Sequence, residues 1–175
     1  MVLGRRDTAG PGDIWVLEFA RSVITRFTLD PQEDTCPVWS PDGRQIAFIS
    51  DRSGVRQIYR ENSGGSERAE QLTNSPSGKC VMDWSRDGRH LLYGEFGAKT
   101  FELWALPLEG GRKPRVIVQA PYDASDGQFS PDGKWVAYTS NESGRNEVYV
   151  TAFSDSDVSA EGRWQVSNQG GHAPR

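Results

Sequence analysis

The chain has 175 residues, of which 35% are hydrophobic and 25% charged, and it carries 19 glycines and 10 prolines. That glycine and proline load predicts many turns and short elements instead of a few long helices. The longest apolar runs, such as Val116-Ile117-Val118, are too short for a membrane helix, so no membrane insertion is expected. The net charge of −4 argues against a nucleic-acid partner, which would call for a basic face. Residues 1–12 lack the apolar stretch of a secretory signal. The two cysteines, Cys36 and Cys80, cannot supply a disulfide framework or a four-ligand zinc site.

Taken in chain order, the predicted elements repeat. A half-unit at 13–30 comes first, with strands at Asp13-Ile14-Trp15-Val16 and Thr25-Arg26-Phe27-Thr28. Three whole units follow at 35–74, 79–119 and 124–168, and residues 169–175 start a further one. Each whole unit opens on a strand ending in an aromatic residue and a turn. These turns are Trp39-Ser40-Pro41-Asp42-Gly43-Arg44, Trp84-Ser85-Arg86-Asp87-Gly88-Arg89 and Phe129-Ser130-Pro131-Asp132-Gly133-Lys134, spaced by 45 residues. In this turn proline fixes φ, aspartate bonds the local backbone and glycine takes the left-handed conformation. An apolar strand comes next (Ile46-Ala47-Phe48, Leu91-Leu92-Tyr93, Val136-Ala137-Tyr138), then a third (Gln57-Ile58-Tyr59, Glu102-Leu103-Trp104, Glu147-Val148-Tyr149). The fourth lies at Glu70-Gln71-Leu72-Thr73, Arg115-Val116-Ile117-Val118 and, after a four-residue insertion, Trp164-Gln165-Val166-Ser167. Residues 99–106 alone could pass for a helix, but their register with 56–60 and 146–150 predicts strand. Four strands per 45 residues is the period of a propeller blade, so the expected fold is all-β: a partial β-propeller of about three complete four-stranded antiparallel blades plus an N-terminal half-blade.

The motif W-S-P-D-G-[RK], the short apolar strand after it and the Ser50-Asp51-Arg52-Ser53-Gly54 turn resemble the TolB-type, WD40-like β-propeller repeats. The resemblance covers residues 13–175. The stretches Thr25-Arg26-Phe27-Thr28, Asp83-Trp84-Ser85-Arg86-Asp87-Gly88-Arg89, Leu106-Pro107-Leu108-Glu109-Gly110 and Trp164-Gln165-Val166-Ser167 are most similar to propeller segments C-terminal to bacterial serine/threonine protein kinases. Arg86 and Phe129 depart from the motif, while its Asp and Gly persist in every copy. The resemblance implies a bacterial extracytoplasmic or periplasmic domain. It also implies a channel lined by first strands, with Asp34, Thr35, Lys79, Cys80, Asp123 and Asp126 near its mouth.

Candidate chemistry is sparse. Asp42, Asp87 and Asp132 sit on separate blades and read as turn formers, not a carboxylate ring. Asp51-Arg52-Ser53-Gly54 offers too few oxygens for a calcium loop. Ser130-Pro131-Asp132-Gly133-Lys134-Trp135 resembles the sialidase Asp-box but is one residue short. Gly64-Gly65-Ser66-Glu67-Arg68 lacks the last glycine of a hydrolase elbow, and His90 and His172 belong to no evident triad. Cys36 and Cys80 lie one residue out of register on adjacent first strands. Alternation would point them to opposite faces, so partly buried thiols are expected in place of a disulfide. The aromatic sets Trp39, Trp84, Phe129 and Tyr59, Trp104, Tyr149 read as packing between blades. No catalytic, cofactor or metal site is expected.

Two function classes remain. One is a non-catalytic module for protein or ligand interaction, expected to be a piece of a larger protein. The other is a sensory or gating accessory domain of a membrane serine/threonine kinase or a prolyl-oligopeptidase-like hydrolase. An open arc would leave Val136, Tyr138, Val148 and Val150 without a neighbouring sheet, and Ile14-Trp15-Val16 with an unpaired edge. A homodimer that closes the arc, with residues 170–175 completing the partner's half-blade, is the expected remedy.

Overall fold

A computed structural model describes residues 1–6, 10–65, 68–97, 99–119, 121–154 and 162–174. Every regular element among them is a strand. The first sheet holds β1 (Val2–Arg6), β2 (Gly12–Glu18) and β3 (Val23–Arg26) in the order β1-β2-β3. The second holds β4 (Asp34–Trp39), β5 (Gln45–Ser50), β6 (Gln57–Asn62) and β7 (Glu70–Gln71). The third comprises β8 (Lys79–Trp84), β9 (His90–Phe96), β10 (Phe101–Pro107) and β11 (Arg115–Val118). The fourth comprises β12 (Ala124–Phe129), β13 (Trp135–Ser140), β14 (Glu147–Ala152) and β15 (Arg163–Gln165). Strands run in sequence order, antiparallel to their neighbours in each registered pair. Residues 101–106, ambiguous on composition, are strand as their register required.

The chain divides into two units, Met1–Val81 and Met82–Arg175, and each has its own core. In the first, Ile14, Phe27, Ile46, Phe48 and Tyr59 pack together, with Phe48 stacked on Tyr59 at 6.2 Å and Phe27 edge-on to Phe48 at 6.4 Å. In the second, Leu92, Leu103, Ala124, Val136, Tyr138 and Tyr149 form the centre. There Tyr138 stacks on Tyr149 at 5.8 Å, in the register that Phe48 and Tyr59 occupy 90 residues earlier. Second strands are buried on both faces because β-branched, aliphatic and aromatic residues fill consecutive positions: Ile46 to Ser50 and His90 to Gly94 are buried throughout.

Two expectations about the ends are corrected. β1 pairs along β2 from Val2↔Val16 to Arg6↔Gly12, so the edge at Ile14-Trp15-Val16 is covered. Residues 1–6 carried no motif, and only pairing reveals their strand. Val136 and Tyr138 are fully buried, because alternation turns them to the face shared with Tyr149 and Leu92. Val148 and Val150 point the other way and are only half-buried. The four-residue insertion falls among residues 155–161, outside the described residues, as does Arg175 of the further unit expected at 169–175. Residues 169–174 form no strand. Instead the amides of Gly170, Gly171 and Ala173 donate to Glu147 Oε1, Asn146 O and Thr139 Oγ1, tying this segment to its own chain.

Two of the first strands carry bulges. The β4–β5 register shifts between Thr35 and Val38, and the β12–β13 register between Ser125 and Gln128. The extra residues, Cys36 and Asp126, take φ of 51° and 53°. The bulge lets Gly127 approach the β9 and β10 side chains. A Cβ there would lie 2.7 Å from Leu92 Cδ2 and 2.8 Å from Leu103 Cδ1, and both leucines are fully buried. Gly127→Ala is therefore expected to cost about 1–3 kcal/mol through overpacking, read as a lower urea midpoint. Gly43→Ala would not share that cause, since a Cβ at Gly43 meets open space; its strain is confined to φ of 69°.

Candidate functional site

The repeated turn is built the same way three times. Ser40 Oγ donates to Asp42 Oδ1 at 2.6 Å and accepts the Gln45 amide at 2.9 Å, while Asp42 Oδ1 also accepts the Arg44 amide at 3.0 Å. Ser85, Asp87, Arg89 and His90 repeat this set, and so do Ser130, Asp132, Lys134 and Trp135. Gly43, Gly88 and Gly133 supply positive φ at the last turn position. These aspartates thus hold turns, as their spacing implied. The Ser40 and Ser130 hydroxyls, followed by the Arg44 and Lys134 amides, hold the Asp42 and Asp132 carboxyls below the ordinary value of 3.8. At Asp87 burial works upward but is outweighed by Ser85 and the Arg89 amide.

The residues expected around a channel mouth do not share one environment. Asp34 and Lys79 occupy equivalent positions, yet both are buried. Arg52 Nη2 donates to Asp34 Oδ1 and Oδ2 at 3.1 and 3.2 Å, and its guanidinium lies over the rings of Tyr59 and Phe48 at 4.8 and 5.5 Å. Burial pushes the Asp34 carboxyl up, against the Ser50 hydroxyl and Arg52, which pull it down. Lys79 Nζ reaches Ser75 Oγ at 2.5 Å and Ser77 O at 3.0 Å. Both charges therefore fasten loops. Asp123 is exposed and accepts the amide of Phe101, the first residue of β10, at 2.8 Å and Asn141 Nδ2 at 3.1 Å. Asp126 is exposed on its bulge.

Thr35 and Cys36 line a cleft of about 410 Å³ with Gly4, Arg5, Gly12, Glu33, Asp34 and Pro37, all in the first unit. Beside it, Cys36 Sγ lies 3.2 Å from Cys80 Sγ, with both residues as thiols. Opposite facing is therefore wrong. The bulge adds one residue between Thr35 and Val38, resets the alternation and turns Cys36 toward Cys80. In the second unit, Tyr122, Glu142, Ser143, Tyr149, Arg163 and Gln165 line a cleft of about 460 Å³, spanned by an Arg163–Glu142 ion pair at 2.9 Å. No group of three or more His, Cys, Asp or Glu suited to a metal ion occurs among the described residues.

Some contributors lay in quoted stretches without being assigned a contact. Arg52 looked like part of a turn, and Asp83, whose Oδ2 accepts the Phe129 amide at 2.8 Å, looked like a polar residue before a motif. The bulges did leave a trace. Pro37 and Gly127 within strands are the residues that mark such irregularities.

Four-stranded antiparallel sheets, linked in sequence order and repeated every 45 residues, define a β-propeller protein. A family model described as TolB beta propeller domain (PD40) matches residues 2–112. The chain belongs to that family. It is 32% identical over 165 residues to "Uncharacterized peptidase YuxL" of Bacillus subtilis, covering 74% of this chain and 25% of that protein. It is 30% identical over 122 residues to "Tol-Pal system protein TolB" of Bordetella pertussis, covering 70% of this chain and 28% of that one. The crystal structure of TolB from Acinetobacter baumannii superimposes with a TM-score of 0.79 at 22% identity, over 98% of this chain and 41% of the other, which shows the shared fold. The chain spans about a quarter of the length of the two curated relatives.

Two outcomes follow. Asp34→Ala leaves the partly buried Arg52 guanidinium only the longer contact with Asp30 at 3.8 Å and the bond to Ser50 Oγ at 2.8 Å, and is expected to cost about 2 kcal/mol. Arg52→Lys should not preserve stability, since a single ammonium cannot serve Asp34 and Ser50 from two separate nitrogens and lacks the flat face over Tyr59; urea midpoints check both. The depressed Asp42 and Asp132 carboxyls contribute stability that is complete above their unfolded value and lost as pH falls through the lower native one. Carboxyl resonances should titrate below 3.8 in the native chain, and Ser130→Ala should move that of Asp132 upward.

Proposed function

We propose that the chain is a non-catalytic interaction module of a larger propeller protein, and that one surface it uses lies on its last sheet. The observation that carries this reading is an exposed apolar strip in the second unit. Trp135 and Trp164 are 37% and 52% exposed and meet edge-on at 5.4 Å, and Val166 is 65% exposed. Val150, paired with Trp164, continues the strip inward. Contiguous exposed aromatic and aliphatic surface of this kind marks sites of association. Its simplest partner is a second copy of this chain. Membership of the TolB propeller family supports a binding role, and an extracytoplasmic location is proposed on the same ground.

A second reading has its own support. The relative named as a peptidase, at 32% identity, favours a gating accessory domain of a hydrolase. The likeness to kinase-linked propellers, carried by phrases such as Leu106-Pro107-Leu108-Glu109-Gly110, favours a sensory domain. Both need a catalytic domain encoded beside these residues, and a G-x-S-x-G or His-Arg-Asp loop in the flanking coding sequence would decide for one of them.

Light scattering over a concentration series tests the strip. Self-association is expected at micromolar concentration, and Trp164→Ser should weaken it by at least about tenfold, because aromatic anchors dominate such interfaces. A clean 19.4 kDa monomer at high micromolar concentration would remove self-association as the role of this surface.

A further inference from the structure

We infer that Cys36 and Cys80 form a redox-active dithiol, which a small external disulfide of the glutathione type converts to an intramolecular disulfide. The sulfurs lie 3.2 Å apart although the residues are 44 positions apart in sequence. A disulfide needs about 2.05 Å, so the pair must close by only about 1.2 Å. Each sulfur is held by its strand. Cys36 projects from the β4 bulge in left-handed backbone, with φ of 51°, which a non-glycine side chain rarely adopts. Pro37 follows it directly. The same bulge recurs at Asp126, where no thiol faces it, so the fold supplies the bend and this unit places sulfur on it.

The site also has a way in. Cys36 lines the 410 Å³ cleft and is half-buried, as is Cys80. Its thiol is drawn below the ordinary value, first by the hydrogen bond with Cys80 and then by the Thr35 hydroxyl and Arg56, against the opposing effect of burial. Arg56 itself is paired with Glu33 at 3.0 Å on the same rim. Thiolate character at Cys36 makes it the attacking group.

The exchange balances in two steps. Cys36 thiolate attacks one sulfur of the external disulfide, whose S–S bond breaks and releases one thiolate while Cys36 takes the other half as a mixed disulfide. Cys80, deprotonated, then attacks Cys36 Sγ and expels the second half as thiolate. Two electrons pass from the protein to the external disulfide, and the two protons the cysteines lose end on the two small thiols. Cys80 is the resolving group because no other cysteine exists in the chain.

The test incubates the purified chain with oxidised glutathione, alkylates remaining thiols and maps peptides without reduction. The expected result is a mass lower by about 2 Da, loss of both alkylatable thiols and one Cys36–Cys80 peptide, all reversed by dithiothreitol. Cys80→Ser should retain glutathione on Cys36, whereas Cys36→Ser should react at Cys80 about tenfold more slowly. Circular dichroism confirms that each variant remains folded. Two alkylatable thiols persisting in the folded chain under excess oxidant would overturn the inference, as would a bond formed mainly between chains. Absence of a Cys36 adduct in folded Cys80→Ser would equally overturn it.

Discussion

One hydroxyl decides how the first strand passes into the second in the three four-stranded sheets. The serine of the repeated turn accepts the amide that opens the second strand and donates to the aspartate two residues on, whose carboxylate takes a further amide. Each of these polar groups would carry a desolvation cost beside the core if left unpaired. The turn satisfies them in six residues, so the strand that follows can be apolar on both faces and run straight into the interior. The Phe48–Tyr59 and Tyr138–Tyr149 stacks sit where they do because the turn fixes the start of β5 and β13. Substituting Arg86 for proline leaves the middle turn intact, since the bonding atoms of Ser85 and Asp87 are unchanged.

What was legible in the sequence is what repeats. The 45-residue register located the strands of three sheets, including β10, whose composition alone reads as helix. It could not locate β1, because Val2–Arg6 resembles no other stretch and gains its conformation by pairing with β2. Nor could it foresee the Cys36–Cys80 contact. Strict period-2 alternation assumes an unbroken ladder, and one inserted residue reverses the facing of everything before it. Pro37 carried the hint, since proline within an inner strand needs a site where no ladder hydrogen bond is required.

Charge placement was the least legible feature. Asp34, Lys79 and Ala124 stand at the same register, yet the three sheets use that position differently. One buries a carboxylate against Arg52, the second buries an ammonium among serine oxygens, and the third has no charge. Repetition of backbone thus coexists with individual polar wiring at the blade ends. Local hydrogen-bond partners, contributed by loops with no common motif, decide each case. The same individuality explains how one chain can carry an aromatic strip on its last sheet and a thiol pair contributed by β4 and β8.

The outer strands show how a stacked repeat protects itself from endless growth. Ile14, Ile58 and Val148 each give their amide to a hydroxyl, from Thr28, Thr73 and Ser167, at 3.0, 3.0 and 2.8 Å, in place of a backbone carbonyl. The backbone ladder therefore ends there, and the last strand of each sheet is only two to four residues long. A foreign strand approaching from solvent meets a stub with little ladder to extend. In a polypeptide made of near-identical sheets, where every edge is a template for its siblings, one side-chain oxygen in three of the four sheets stops the last ladder short along the strand and leaves the outermost strand a stub.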